Sequence, residues 1–369
     1  MNSLSDIQIS AIDLLKDLIA TPSFSTMEGR TADLMERWFK ERGIPHQRHL
    51  NNVWAVSKHF DPHKPSILLN SHHDTVRPNK AYTKDPFTPE VLEGRLYGLG
   101  SNDAGGPLVS LLASFTYLWG EEQLPINLVY AATAEEEING SGGIAALLPE
   151  LPPLSAAIVG EPTKMQMAIA EKGLIVFDAE VHGTPSHAAH PNSDNAIYKT
   201  ARVLDWFQGY RFEKISDTLG EVKMTVTQLE AGSQHNVVPA HVQMVVDVRV
   251  TDQYTNREIN DILVKEAPVD KIKARSLRLN SSGIPKDHFL VQAGLELGMK
   301  TYGSPTLSDQ ALLDCPSLKL GPGDSLRSHS ADEFIYLEEI YQAIEQYVLL
   351  LRKAGENLNH KNNRHETLG

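Results

Sequence analysis

Carboxylates and imidazoles crowd the ends of apolar runs in this sequence: His72 with Asp74, then Asp103, Glu136 with Glu137, Glu161, and His329. Imidazole nitrogens and carboxylate oxygens are donors for divalent cations, and a carboxylate left free beside such a cation can move a proton. The clearest stretch is Ile67-Leu68-Leu69-Asn70-Ser71-His72-His73-Asp74. Read as a buried strand feeding a loop, it puts His72 and Asp74 on one face and His73 on the other. A metal-binding imidazole needs a partner for its second nitrogen, which a carboxylate two residues along can supply. His73, facing away, is expected to be packed rather than to bind.

Each motif alone also has a plain reading. His-x-Asp is a common polar cluster at a strand end, Asp103 ahead of Gly105-Gly106 can be an N-cap, and Glu135-Glu136-Glu137 can be a solvated acidic turn. Recurrence favours chemistry. Strands separated by helices imply a largely parallel sheet, and polar groups at the carboxyl ends of such strands point into one crevice. Two imidazoles and three carboxylates are enough for two divalent ions if one carboxylate bridges, the ions lying roughly 3.5–4 Å apart. Two dications, three ligand carboxylates and one hydroxide sum to zero charge, as a partly buried site requires. Glu136, beside a ligand in sequence, is then the free carboxylate able to shuttle a proton.

The elements that must position these residues follow from periodicity. Helices are expected over about Ile7–Ala20, Thr31–Arg42, Leu108–Leu118 and Ile335–Leu351, and strands over Asn52–Lys58, Ser66–Ser71, Asn127–Thr133 and Ala156–Gly160. From about Leu174 the texture changes. Strands at Leu174–His182, Lys223–Leu229, Val242–Val250 and Ala274–Leu279, with helices at Asn195–Phe207 and Asn256–Lys265, give the order βαββαβ of a compact inserted domain. The expected fold is therefore α/β: a mixed, mostly parallel sheet with helices on both faces over 1–171 and 282–369, and a ferredoxin-like insert over 172–281. The tail Asn357–Gly369, rich in Asn, His and charge, is expected to fray.

Composition sets the outer limits. A chain of 369 residues with 41% apolar and 22% charged residues reads as an ordinary soluble protein long enough for two domains. Its 34 basic against 47 acidic side chains leave a net charge of -13, which argues against nucleic acid and anionic membranes as partners. No apolar stretch reaches transmembrane length, and Met1-Asn2-Ser3-Leu4-Ser5-Asp6 lacks the pattern of a signal peptide, so a cytoplasmic location is expected. Cys315 is the single cysteine, so any metal must be held by His, Asp and Glu.

Taken together, Leu69–Pro78, Gly98–Gly106, Thr133–Gly140, Gly160-Glu161-Pro162-Thr163, Gly183–Ala188 and Gly321-Pro322-Gly323-Asp324 with His329 resemble the motifs of the M20 metallopeptidase and deacylase family, in the right order along nearly the whole chain. The resemblance implies that His72, Asp103 and Glu161 bind one zinc and Asp103, Glu137 and His329 a second, with Asp103 as the bridge; cobalt or manganese also suits such donors. It implies that Asp74 orients His72 and that Glu136 is the general base and acid. The insert resembles the family's lid, which usually forms a homodimer, and there His187 would act in the partner's site. Asn236, Arg249 and Gly323 fall among the substrate-binding positions, the arginine fork suiting a substrate carboxylate.

The reaction implied is hydrolysis of the amide of a small-molecule N-acyl amino acid, foremost N-acetylornithine or N-acetylcitrulline in arginine biosynthesis. A succinyl-diaminopimelate desuccinylase or a dipeptidase shares the same metal chemistry. A non-catalytic metal-containing binding protein is the alternative of another class, and the presence of Glu136 speaks against it. Three departures bear on pocket shape: Asp103-Ala104-Gly105-Gly106 where the family has Asp-Met-Lys-Gly, Glu135 where it has Asp, and Glu171-Lys172-Gly173 where it has His-Lys-Gly.

Overall fold

The strand Ser66–His72 is buried at every position, and so is its neighbour Asn127–Thr133. Continuous burial requires apolar cover on both faces of the sheet, and the side chains show it. Ile67, Leu69, Leu128, Tyr130 and Ala132 enter one core cluster, while Leu68, Val129 and Ala131 enter another. The first cluster is completed by the helices Leu4–Ile19, Gly29–Glu41, Gly106–Leu118 and Phe289–Glu296 and by the long carboxyl-terminal helix. Ile144, Leu147 and Leu313 close the second. The result is a helix–sheet–helix sandwich around a largely parallel sheet.

The computed structural model describes residues 3–366, with side chains described as far as Leu358. The chain divides into two compact units: Met1–Ile169 with Gly283–Tyr302 and Ser308–Gly369, and Ala170–Ser282 with Gly303–Leu307. The central sheet has nine strands. Its order runs Gln47–His49, Asn52–Val56, Asn127–Thr133, Ser66–His72, Ala156–Val159, Ser317–Lys319, Met167–Glu171, with Ser282–Gly283 and Thr301–Ser304 completing it. The strands Asn127–Thr133, Ser66–His72, Ala156–Val159 and Ser317–Lys319 are mutually parallel. Their carboxyl ends therefore share one edge, and His72, Glu136, Glu137 and Glu161 all stand at it.

The second unit carries a four-stranded antiparallel sheet ordered Lys223–Ala231, His241–Val250, Gly173–His182, Lys271–Ala274. Its helices, Ala196–Gly209 and Asn256–Glu266, bury Val203, Phe207, Ile259 and Leu263 against Phe177, Val246 and Val248. The sequence pattern predicts the last strand at Ala274–Leu279, whereas the regular ladder spans Lys271–Ala274. Beyond Ala274 the alternation of apolar residues continues, while the backbone bonds become irregular: Arg275 donates to the Val176 carbonyl and Leu174 donates to the Leu279 carbonyl, each at 2.9 Å.

The carboxyl terminus departs from the expected helix over about Ile335–Leu351 and from the expected frayed tail. Ile335 belongs to a short strand, Phe334–Tyr336, and the final helix runs Leu337–Glu366, through most of the stretch expected to fray. Its remaining residues, 367–369, lie outside the described residues. No helix among the described residues is long and apolar enough to cross a membrane.

Candidate metal centre

The edge of the parallel sheet gathers His72, Asp74, Asp103, Glu136, Glu137, Glu161 and His329 in the first unit. His72 ends its strand fully buried, with Nε2 3.3 Å from Asp103 Oδ1, 3.8 Å from Glu136 Oε2 and 3.9 Å from Glu161 Oε1. On the other side of Asp103, His329 Nε2 lies 3.5 Å from Asp103 Oδ2 and 3.1 Å from Glu137 Oε2. Each oxygen of one carboxylate thus faces a different imidazole, with Glu161 on the His72 side and Glu137 on the His329 side. His72, Asp103 and Glu137 offer donor atoms all within 4.8 Å of one another.

Local chain geometry explains the convergence. Asp103 sits in an irregular turn, Ser101–Gly105, before the buried helix Gly106–Leu118. Gly100 is left-handed at φ 75°, and a Cβ there would meet Thr75 Cγ2 at 2.6 Å, so this turn needs glycine. Glu135 and His329 take left-handed backbone themselves, at φ 56° each, which sets the loops bearing Glu136, Glu137 and His329 sharply off their neighbours.

Asp74 does more than expected, and through a different atom. His72 Nδ1 bonds the Asp74 backbone carbonyl at 3.0 Å, while the carboxylate lies farther, at 3.4 Å. The freed carboxylate accepts the Glu136 N–H at 3.0 Å on Oδ1, and the Glu137 N–H at 3.2 Å and Ser25 hydroxyl at 2.7 Å on Oδ2. It therefore fixes the backbone of the two glutamates as well as the histidine. His73 faces away as expected. Its ring bonds Thr31 Oγ1 at 2.8 Å and the Asn51 carbonyl at 3.0 Å, and burial drops its pKa to about 4, so it is a neutral packed imidazole.

The electrostatics are those of a site crowded with anions. Burial, joined by the Asp103 charge, pushes Glu161 up to about 8 against the pull of His72 and Lys319. Burial and the neighbouring Glu161, Asp309 and Glu137 raise Glu136 well above the carboxylate range. Burial would lower His72, but Glu136, Asp103 and Asp74 outweigh it and raise it well above the usual imidazole value. The bond to Glu137 lifts His329 to about 9. His72 Nε2 is buried without a hydrogen-bond partner, although three carboxylates surround it. An orphaned imidazole nitrogen among uncompensated carboxylates, with no thiolate near, fits divalent cations of the zinc, cobalt or manganese kind.

Gly323, in the first unit, has φ 89°, and a Cβ there would meet Asn102 Oδ1 at 2.5 Å. In the second unit, Ser186–His187 pairs with Val237–Val238, and the Ala188 N–H bonds the Asn236 carbonyl at 2.9 Å, so His187 and Asn236 are neighbours. His187 Nδ1 accepts from the Ala189 N–H at 3.1 Å, which assigns its ring proton to Nε2, on an exposed side chain. Arg249 lies in the strand His241–Val250 with its guanidinium on Asp247, at 2.8 and 3.1 Å.

Two further side chains, Asp309 and Glu333, stand at the centre without belonging to any of the motifs. Asp309 Oδ2 accepts from Thr133 Oγ1 at 2.7 Å and from Asn70 Nδ2 at 3.0 Å, tying together the two strands that deliver His72 and Glu136. Glu333 bonds the loop that carries Asp103. Asp309 stands in no motif. Glu333 follows His329 by four residues, and that proximity was its one sequence signal.

With this geometry the chain belongs to peptidase family M20/M25/M40, whose family model matches residues 68–353. It is a metal-dependent hydrolase acting on amide bonds. Among curated proteins it is similar to the acetylornithine deacetylase of Klebsiella pneumoniae, 28% identical over 91% of this chain and 96% of that protein. It is likewise similar to the acetylornithine deacetylase of Proteus mirabilis, 29% identical over 88% and 91%. Among solved structures it shares its fold with aminopeptidase PepT of Bacillus cereus, at a TM-score of 0.75 and 17% identity over 94% and 98% of the two chains. The Bacillus subtilis YXEP protein, described as a dinuclear metal-binding peptidase of the M20 family, matches at a TM-score of 0.72 and 17% identity over 95% and 98%.

Proposed function

We propose that the chain hydrolyses the amide of an N-acyl amino acid, most specifically N-acetylornithine or N-acetylcitrulline in arginine biosynthesis, as a cytoplasmic homodimer with two zinc ions per subunit. The observation that carries this reading is the Asp103 carboxylate presenting one oxygen to His72 and the other to His329. The near full-length similarity to acetylornithine deacetylases supports the substrate class. His72, Asp103 and Glu161 would hold one ion, and Asp103, Glu137 and His329 the other. When bound, such a pair supplies Lewis acidity for the attacking water and the substrate carbonyl.

The chain's own residues do the rest. Glu136 takes one proton from the attacking water and passes it to the departing nitrogen as the C–N bond breaks, so acid and amine leave balanced. Asp74 holds the Glu136 backbone in place for this. His187, with its N–H on Nε2, donates a hydrogen bond to the carbonyl oxygen as negative charge develops, reaching across the dimer. Arg249 and Asn236 hold the substrate carboxylate, Arg249 sharing its fork with Asp247 until substrate arrives. Zinc-loaded protein should release amine from N-acetylornithine or N-acetylcitrulline in preference to N-succinyl-diaminopimelate and dipeptides. Release from the succinyl compound alone would replace this substrate assignment.

A further inference from the structure

Glu333 is 1% exposed and, among the contacts of the described residues, its carboxylate meets no lysine or arginine. A buried anion beside an already anionic centre is costly unless strong donors satisfy it. Three backbone donors meet it here, although burial and the Asp103 charge still push its carboxyl up to about 8. Oε1 accepts from the Asn102 N–H at 2.8 Å and from the Asp103 N–H at 2.9 Å, and Oε2 accepts from the Gly100 N–H at 3.2 Å. The successive Asn102 and Asp103 N–H groups converge on one oxygen, as in an anion-binding nest, and left-handed Gly100 stands two residues before them.

The other end of the residue is tied just as closely. The Gly98 N–H bonds the Glu333 carbonyl at 3.0 Å. One residue earlier, Asp332 accepts from the Thr83 and Lys84 N–H groups at 2.8 and 2.9 Å. Asn79 Nδ2 donates to the His329 carbonyl at 3.2 Å. Asn102, held by Glu333, donates from its own side chain to the Asp324 carbonyl at 3.1 Å and to Ser328 Oγ at 3.3 Å, the residue before His329. The loop bearing Asp103 and the loop bearing His329 are thus sewn together at Glu333 and Asn102, with Glu333 bonding the backbone nitrogen of Asp103 itself.

We propose that Glu333 is a positioning residue that sets the bridging carboxylate Asp103 against His329 before any metal arrives, and so fixes the affinity of the His329-side metal position. The inference rests on the two-ion reading above. Partners of this kind, one bond behind the donors, typically govern 10–100-fold in metal affinity. The His329 side is the sensitive one, because His329 is half exposed, at 55%, whereas His72 is held at 1% by its strand and by Asp74. In Glu333→Gln the amide oxygen can still accept from Asn102 and Asp103, leaving the Gly100 N–H facing an amide donor; in Glu333→Ala all three bonds are lost.

The test is a cobalt titration of the whole chain, read by visible absorption and by metal content after gel filtration, alongside apo-protein melting. The parent is expected to take two ions. Both variants should bind the first as the parent does and the second about 10- to 100-fold more weakly, with Gln between Glu and Ala. A merely structural role would lower the apo melting temperature and leave the ratio of the two affinities at the parental value, which would overturn the proposal, as would variants that bind both ions like the parent. A parent that takes fewer than two ions instead refutes the two-ion reading, and this inference with it. Should neither variant fold, amide exchange in the apo parent decides: slow exchange at Gly100, Asn102 and Asp103 supports a preset loop, and exchange as fast as in an open chain overturns it.

Discussion

Asp74→Asn changes one oxygen of a fully buried carboxylate into an amide donor, and the structure says which neighbour loses. The asparagine oxygen is best placed at the Oδ2 position, where it keeps the Ser25 hydroxyl and the Glu137 N–H. The Glu136 N–H, 3.0 Å from Oδ1, then faces an amide nitrogen and goes unpaired. An unmade bond at a buried backbone donor costs about 1–3 kcal/mol. At tenfold per roughly 1.4 kcal/mol, protection of the Glu136 amide against hydrogen exchange should fall about 5- to 150-fold, while that of Glu137 holds. Loosening the base beneath Glu136 should lower kcat by about 10–100-fold with KM little changed. Exchange measured by NMR or by mass spectrometry with electron-transfer fragmentation resolves the two amides. Equal loss at both, or loss of kcat with the Glu136 amide still protected, would refute the reasoning that Asp74 acts through this bond.

Four further outcomes are expected. Glu136→Gln should retain its metal content and lose about 10²–10⁴ in kcat, the usual share of a general acid–base group; near-parental turnover would assign the base elsewhere. If His187 serves the partner's site, mixing and refolding inactive His187→Ala with inactive Glu136→Gln should recover about a quarter of parental activity, since half the dimers are hybrids with one complete site. No recovery would place His187 in its own subunit's site or outside catalysis. Arg249→Ala should raise KM far more than it lowers kcat, measured with the acyl amino acid and again with its carboxylate amidated, where the difference should vanish. Burial pushes the Cys315 thiol up to about 11. Iodoacetamide labelling should therefore keep climbing about tenfold per pH unit past pH 9, where an exposed thiol levels off, and a plateau near pH 9 would contradict that environment.

The parts of the fold that were legible in the sequence are those where burial is uniform. Ile67–Leu69, Leu128–Ala132 and Ala156–Val159 are continuous apolar runs because helices cover both faces, and the polar burst after each marks the sheet edge at which the candidate ligands gather. Short strands such as Ser317–Lys319 and Met167–Glu171 gave no such signal: three to five residues carry no period, and their pairing is set by the neighbouring strands. The carboxyl-terminal helix reaches Glu366 although its Asn- and His-rich end resembles a tail in composition. At the site, the residues show candidate donors at the ends of apolar runs, while their division between two ions comes from the family resemblance. The route by which Asp74 steadies His72, through its carbonyl rather than its carboxylate, could not, because it depends on where the loop turns. Asp309 and Glu333 were silent for a related reason. They act on groups distant in sequence, Asp309 from the start of a short helix and Glu333 from a loop, in stretches whose composition is ordinary for a surface.

In the proposed centre one carboxylate, Asp103, joins two cations. Anomalous diffraction from zinc-loaded crystals, recorded above and below the zinc edge, measures this directly. Two peaks roughly 3.5–4 Å apart, each about 2.0–2.2 Å from a different Asp103 oxygen, with His72 on one and His329 on the other, is the expected result. A single peak, or a pair that Asp103 does not touch, would contradict the account.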